Sequence, residues 1–195
     1  MINVDGVILA AGKSSRMGRA NKVLASLGGR SLLEIAVEKI SPQVDTLVIN
    51  GDPALCGEQA LADRIAGFKG PLMGLYTALL SEQLSRAEYL MMVPCDGPFM
   101  PDNLVAELHQ QIVQADADIA SVRYQGFAQP TFSLWHKRAL PDIEQALLVE
   151  KNGGFKPLLQ SLDTLYLDWP EQDPSPFFNI NTPEDLALAE KLLCP

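Results

Sequence analysis

The sequence predicts an α/β fold: a single domain over residues 1–195, with three α/β/α layers around a mostly parallel sheet. Three observations carry this reading. Apolar runs at 7–10, 46–49 and 89–93 are rich in branched or bulky residues and have the length of buried strands. Segments with helical periodicity or helix-start chemistry separate them, giving the order strand, helix, strand, helix, strand, helix. With 195 residues, 47% hydrophobic and 20% charged, the chain has the balance of a globular protein with one core.

Taken in order, the run at 7–10 leads into a loop of small and cationic residues. Ser31-Leu32-Leu33-Glu34 then reads as a capping box that opens a helix through Ile40, and Ser41-Pro42 stops it. The second strand ends in the turn signal Asn50-Gly51-Asp52-Pro53, and 59–65 reads as a short helix. Gly70-Pro71-Leu72-Met73-Gly74 punctuates the chain before a helical face of Leu75, Leu79 and Leu80. The third strand runs into Pro94-Cys95-Asp96-Gly97-Pro98. Pro101 suits the first turn of a helix whose face is Leu104, Val105, Leu108 and Ile112.

The later part is less regular. Residues 119–124 and 131–135 read as strands separated by Gly126, and 142–149 as a helix closed by Gly153-Gly154. A short strand at 165–167 precedes an acidic, proline-rich loop to Pro176. Thr182-Pro183-Glu184-Asp185 carries helix-start chemistry for a last helix ending near Leu193. No repeat, low-complexity tract or linker divides the chain, hence the single domain.

Composition excludes several function classes. A formal net charge of −9 argues against general binding of nucleic acid or anionic membranes. No apolar run approaches the roughly 18 residues a spanning helix needs, and MINVDG has no signal-peptide character. Cys56, Cys95 and Cys194 are too few and too scattered for a disulfide framework or zinc site, which fits a reducing cytoplasm. His109 and His136 lack partners at ligand or triad spacing; His109 reads as solvated, and Cys95 as a packing residue.

The chemistry gathers at predicted strand ends, where open α/β sheets bind ligands. Ala10, Ala11 and Gly12 leave little side-chain bulk, so backbone N–H groups there can approach a phosphate; Lys13, Arg16 and Lys22 supply positive charge. This combination points to a nucleotide triphosphate cradle on a Rossmann-like sheet, an ordinary surface turn being the alternative. Neither GxxxxGK[ST] nor GxGxxG is present. Asn50 follows the second strand. Asp96 follows the third and offers the hard oxygen that Mg2+ takes alongside phosphate oxygens; a turn-capping role is the alternative. Asp63 is either solvated or part of the site. Asn179 and Asn181 alternate to one side, placed to hold a polar ligand, complete a metal shell or simply support the turn.

Together these residues carry a resemblance. VILAAGKSSRMG with Lys22, LVIN ending at Asn50, Asp63 before GPLMG, VPCD with Pro98, Gln129-Pro130 with Leu134, and FFNINTPEDL occur in the family's order and spacing. The chain resembles the molybdenum cofactor guanylyltransferases of the nucleotidyltransferase superfamily over essentially its full length. The resemblance implies GTP, Mg2+ and molybdopterin, with transfer of GMP to the terminal phosphate of molybdopterin and release of pyrophosphate. It also implies maturation proteins of molybdoenzymes as partners.

Residue by residue, the resemblance gives Leu9, Ala10, Ala11 and Gly12 to the nucleotide and Lys22 to its phosphates. Asn50 and Asp63 go to the guanine nucleotide site, and Asp96 to nucleotide and metal. Arg16, Gly18, Asn179 and Asn181 fall to the cofactor substrate or its turnover. Lys22, Asp96 and Arg16 form the expected catalytic set, because an acceptor that brings its own phosphate oxygen requires positioning and charge neutralisation but no enzyme nucleophile. Two positions depart from the family pattern. Ala11 stands where the family usually has glycine, the LAAG form being more typical of molybdopterin cytidylyltransferases, and Asn21 replaces a common acidic residue. The alternative is therefore a cytidylyltransferase or another sugar- or cofactor-phosphate nucleotidyltransferase.

Overall fold

A computed structural model describes residues 3–11, 22–65, 67, 70–84 and 87–193; of Lys22, only the backbone is described. Among the described residues, eight strands form two sheets. The main strands are β1 (Val4–Leu9), β4 (Leu47–Asn50), β5 (Tyr89–Pro94), β6 (Ile119–Tyr124), β7 (Phe127–His136) and β8 (Thr164–Asp168). They lie in the order β4-β1-β5-β7-β6-β8. A two-stranded hairpin, β2 (Ser26–Leu27) with β3 (Arg30–Ser31), stands apart. Pairs β1–β4, β1–β5 and β6–β8 are parallel, while β7 runs antiparallel to both its neighbours.

The antiparallel strand has a local cause. Tyr124 pairs with Phe127 across the two residues Gln125 (φ 49°) and Gly126 (φ 80°), and two successive positive-φ residues make the tight hairpin turn that reverses a chain. β7 begins earlier than the sequence indicates because Pro130 does not end it. Register against β6 jumps from Ser121↔Ser133 to Val122↔Gln129, so Pro130, with no N–H to offer, sits in a bulge.

Among the described residues, seven α-helices accompany the sheet: α1 (Leu32–Ile40), α2 (Pro53–Cys56), α3 (Leu72–Leu79), α4 (Leu104–Ala115), α5 (Leu140–Glu144), α6 (Lys156–Ser161) and α7 (Pro183–Leu193). On one face Ala36 and Ile40 of α1 and Leu104, Leu108 and Ile112 of α4 pack on Ile8, Met91, Val93 and Leu134. On the other, Leu72, Leu75 and Ala78 of α3 with Ile143 and Leu158 cover Val7, Val48, Leu90 and Trp135. Alternate residues of β1 and β5 thus feed opposite cores, which is why both strands are apolar almost throughout. A third cluster joins the β2–β3 hairpin to α1 and α7 through Leu27, Leu32, Ile180 and Ala189.

The capping box is present: Ser31 accepts from the Glu34 N–H while Glu34 reaches back to the Ser31 N–H. Thr182 and Asp185 make the reciprocal pair at the start of α7. Three expectations are corrected. Residues 59–65 are not a helix, because Leu61 bridges to Asn50 at the sheet edge: its N–H donates to Ile49 O and its carbonyl accepts from Gly51 N. The short helix lies instead at Pro53–Cys56, capped by Asp52. Pro101 lies before α4 rather than in its first turn, and its carbonyl accepts from Leu104 N. His109 is half-buried rather than solvated, its ring set edge-on to Tyr89 at 5.2 Å.

Candidate active site

Parallel pairing brings the ends of three strands level. Leu9, the last residue of β1, pairs with Asn50 on one side and Pro94 on the other. Ala10 N donates to Asn50 O at 2.7 Å, and Cys95 N to Leu9 O at 3.1 Å, which ties the three segments together just beyond the sheet. Ala10 is buried and Ala11 exposed. The rim expected from the sequence therefore exists, with the start of the small-residue loop between Asn50 and the Cys95-Asp96 turn. Gly12, Lys13, Arg16 and Gly18 lie outside the described residues. Lys22 opens a short 3-10 helix, Lys22–Leu24.

Asn50 is 1% exposed, and its carboxamide is committed. The Nδ2 group donates to Leu61 O and to Asp63 Oδ1, each at 3.0 Å. The bridge at Leu61 thus places Asp63 beside Asn50, and the exposed carboxylate of Asp63 is held by one partner at the mouth of the rim. On its other side Asn50 presses against α3. A Cβ on Gly74 would overlap Asn50 Oδ1 and stand 2.7 Å from Leu9 Cδ2, so only glycine lets this helix approach so closely. The sequence marked Gly74 as punctuation; its packing role was not visible there.

Asp96 is half-buried in the turn after β5, and its carbonyl accepts from Ile180 N at 2.9 Å. This bond seats the segment before α7 against the rim. Next to Asp96, a Cβ on Gly97 would stand 2.6 Å from Phe132 Cζ and 3.5 Å from Asn179 Oδ1. Gly97, with no side chain, thus leaves room for both Phe132, which the β7 bulge presents, and Asn179. Asn179 Oδ1 is buried with no hydrogen-bond partner among the described residues. A buried acceptor left unpaired costs about 1–3 kcal/mol, so a donor or cation brought by a ligand removes a standing penalty. Asn181 is exposed; its N–H donates to Asp185 Oδ2 at 2.9 Å.

An aromatic cluster anchors the loop before these asparagines. Phe177 meets Phe132 at 5.0 Å and both Tyr124 and Trp169 at 5.6 Å, all near edge-to-face. The Tyr124 hydroxyl donates to Gln172 O and accepts from Gln172 N. Between this loop and the β6–β7 hairpin lies a cleft of about 880 Å³, lined among others by Phe127, Gln129, Asn179 and Asn181. Asn179 and Asn181 therefore share one cavity, as their alternation suggested. Phe127 carries no such signal in the sequence, where the strand reads as starting only at Thr131.

Residues 6–165 match the model of the MobA-like NTP transferase domain. The chain belongs to this family. A molybdenum cofactor guanylyltransferase of Rhodopseudomonas palustris (strain BisB5) is 38% identical over 193 residues, covering 95% of this chain and 92% of the relative. One from Vibrio cholerae is 36% identical over 185 residues, 93% and 88% of the two chains. The fold matches that of molybdopterin-guanine dinucleotide biosynthesis protein A from Archaeoglobus fulgidus, with a TM-score of 0.81, 22% identity and coverage of 97% and 98%. As a MobA-like NTP transferase the chain is a nucleotidyltransferase with a Rossmann-like, mostly parallel sheet.

Nucleotidyltransferases of this family generally use a divalent metal. The residue types fit one: Asp96 directly precedes Gly97, Asn179 Oδ1 lies 3.5 Å from where a Gly97 Cβ would stand and has no hydrogen-bond partner among the described residues, and carboxylate and carboxamide oxygens are both hard donors. No group of three or more His, Cys, Asp or Glu is placed to hold a metal among the described residues. Among the same residues no helix is long and apolar enough to cross a membrane.

Proposed function

We propose that this chain, working as a single domain over residues 1–195 in the cytoplasm, transfers GMP from GTP to the terminal phosphate of molybdopterin and releases pyrophosphate. The observation that carries the reading is the level alignment of Leu9, Asn50 and Pro94, with Asn179 brought back beside Asp96. One rim thus offers a nucleotide side and an acceptor side. Support for guanine comes from the relatives at 36–38% identity, each named a molybdenum cofactor guanylyltransferase.

In this reading the backbone at Leu9, Ala10, Ala11 and Gly12 receives the nucleotide. Asn50 and Asp63 form the base side. The acceptor phosphate oxygen attacks the α-phosphorus of GTP, the bond to the bridging oxygen breaks, and pyrophosphate leaves with the electron pair. Lys22 and Arg16 offset negative charge that grows as this happens, and Gly18, Asn179 and Asn181 orient the acceptor. Asp96 and Asn179 would hold Mg2+, which neutralises phosphate charge when bound. No protein nucleophile is needed, in keeping with a rim built from Asp, Asn and glycine. The product would pass to maturation proteins of molybdoenzymes; no role is assigned to nucleic acid or membranes.

The test is pyrophosphate release from each of the four nucleoside triphosphates, with and without molybdopterin. GTP should support release only with the acceptor present. A preference for CTP, the alternative raised by Ala11, would overturn the guanylyl assignment, and release that ignores molybdopterin would overturn the acceptor.

A further inference from the structure

We infer that Phe127 is a specificity-determining residue for the acceptor: its ring is the stacking platform for the acceptor's planar heterocycle, at the outer end of the cleft that Asn179 enters. The inference rests on the function proposed above and adds to it the half of the acceptor that does not react.

Phe127 is 75% exposed, more than any other large hydrophobic residue among those described. Its backbone is nonetheless tied into the sheet. It is the first residue of β7, paired with Tyr124 across the tight Gln125-Gly126 turn. Tyr124 in turn holds Gln172 through two hydrogen bonds and packs on Phe177. The hairpin therefore cannot shift without breaking the opposite wall of the cleft. An aromatic side chain mounted on a braced hairpin costs a ligand less ordering entropy than one on a loose loop.

The chemistry of the cleft decides which part of the ligand lies there. Among the described residues Glu171 and Asp173 line it and no lysine or arginine does. A phosphate there would face these two carboxylates, so the phosphate end is assigned toward Asp96. What the lining offers instead is carboxamides: Gln129, Gln172, Asn179 and Asn181, each both donor and acceptor. Phe127 and Gln129 are two apart on one strand and point to the same side, and Gln129 Nε2 donates to Phe127 O at 3.4 Å. An aromatic face beside carboxamides and carboxylates matches a flat, uncharged ring with amide-like and amino edges, which is the chemistry of a pterin. Tyr124 cannot take the stacking role, since its ring is committed to Phe177 and its hydroxyl to Gln172.

The experiment compares the full-length protein with Phe127→Ala and Phe127→Trp. Ring stacking on an aromatic side chain is worth about 1–3 kcal/mol, which corresponds to roughly 5- to 150-fold in affinity. In Phe127→Ala the KM for molybdopterin should rise by about tenfold or more, with the KM for GTP unchanged and kcat at saturating acceptor retained. Phe127→Trp should stay within about twofold of wild type. A second arm titrates 6-hydroxymethylpterin, which has the ring and no phosphate, and follows quenching of its fluorescence. Wild type and Phe127→Trp should quench it, and Phe127→Ala should not. Equal acceptor KM in all three proteins, or equal quenching, overturns the role of Phe127 and leaves the transfer reaction standing. Absence of GMP transfer to molybdopterin in wild type overturns the proposed function itself, while the quenching arm still decides whether the ring stacks.

Discussion

Replacing Gly74 with alanine sets two opposite effects against each other at the nucleotide side of the rim. Gly74 is a buried helical residue of α3. On helix propensity alone the change would stabilise by roughly 0.5–1 kcal/mol. The new methyl would overlap Asn50 Oδ1 and come within 2.7 Å of Leu9 Cδ2. Forced overpacking of this kind costs about 1–3 kcal/mol. Asn50 is the side chain that must give way, and its movement strains the bonds to Leu61 O and Asp63 Oδ1, each worth about 0.5–1.5 kcal/mol. The clash therefore wins by about 1–4 kcal/mol. For a chain of this size each kcal/mol moves the thermal midpoint by about 2–4 °C, so Tm should fall by roughly 2–16 °C. Because Asp63 is held by Asn50, the KM for GTP should rise by about tenfold, equivalent to the loss of roughly 1.4 kcal/mol. Thermal denaturation and steady-state kinetics with varied GTP measure both. A variant as stable as wild type, or more stable, would show that α3 has room at Gly74 and refute the packing argument. A lowered Tm with unchanged KM would refute the link from Gly74 through Asn50 to the nucleotide.

Two further predictions follow from the rim and the sheet. Asp96→Asn should lower kcat by on the order of 100-fold or more while leaving circular dichroism and Tm nearly unchanged, because the amide preserves shape but is a poor cation ligand; near wild-type turnover at limiting Mg2+ would remove Asp96 from the metal site. Burial lowers the pKa of both His109 and His136, with Arg138 adding to the effect at His136. Their neutral forms therefore favour the folded state fully above the unfolded value near 6.5, and that contribution is lost as pH falls through the lower folded values. Tm should decline between about pH 7 and pH 5, and His109→Phe, which keeps the contact with Tyr89, should flatten the decline; an unchanged slope would exclude His109 from it.

The site was legible in the sequence where its signals are local. A strand that ends in small residues, an Asp directly after a run of core residues and two Asn in alternation are each written within a few positions. The contacts that give these residues partners are not. Asp63 reaches Asn50 because Leu61 bridges to a sheet edge, and apolar periodicity over 59–65 looks the same whether that bridge forms or a helix does. Gln125 adopts positive φ with no glycine at its own position to announce it, so the turn was read only as a break at Gly126. The early start of β7 was hidden by Pro130, a residue that a bulge absorbs. Phe127 was lost with those residues. In the same way, Gly74 and Gly97 look like ordinary punctuation until the side chains that occupy their missing Cβ positions are known.

The seating of Asn179 beside Gly97 has a consequence for the chain as it is made. Translation delivers β1, β4 and β5 first, and with them Asn50, Asp63 and Asp96. The opposite wall follows, because Trp169, Phe177 and Asn179 come later in the chain than all of these. On the proposed function, a growing polypeptide thus passes through a stage that carries the residues assigned to the nucleotide and none of the wall assigned to its acceptor. A product cut off before Trp169 would then lack the means to hand on GMP.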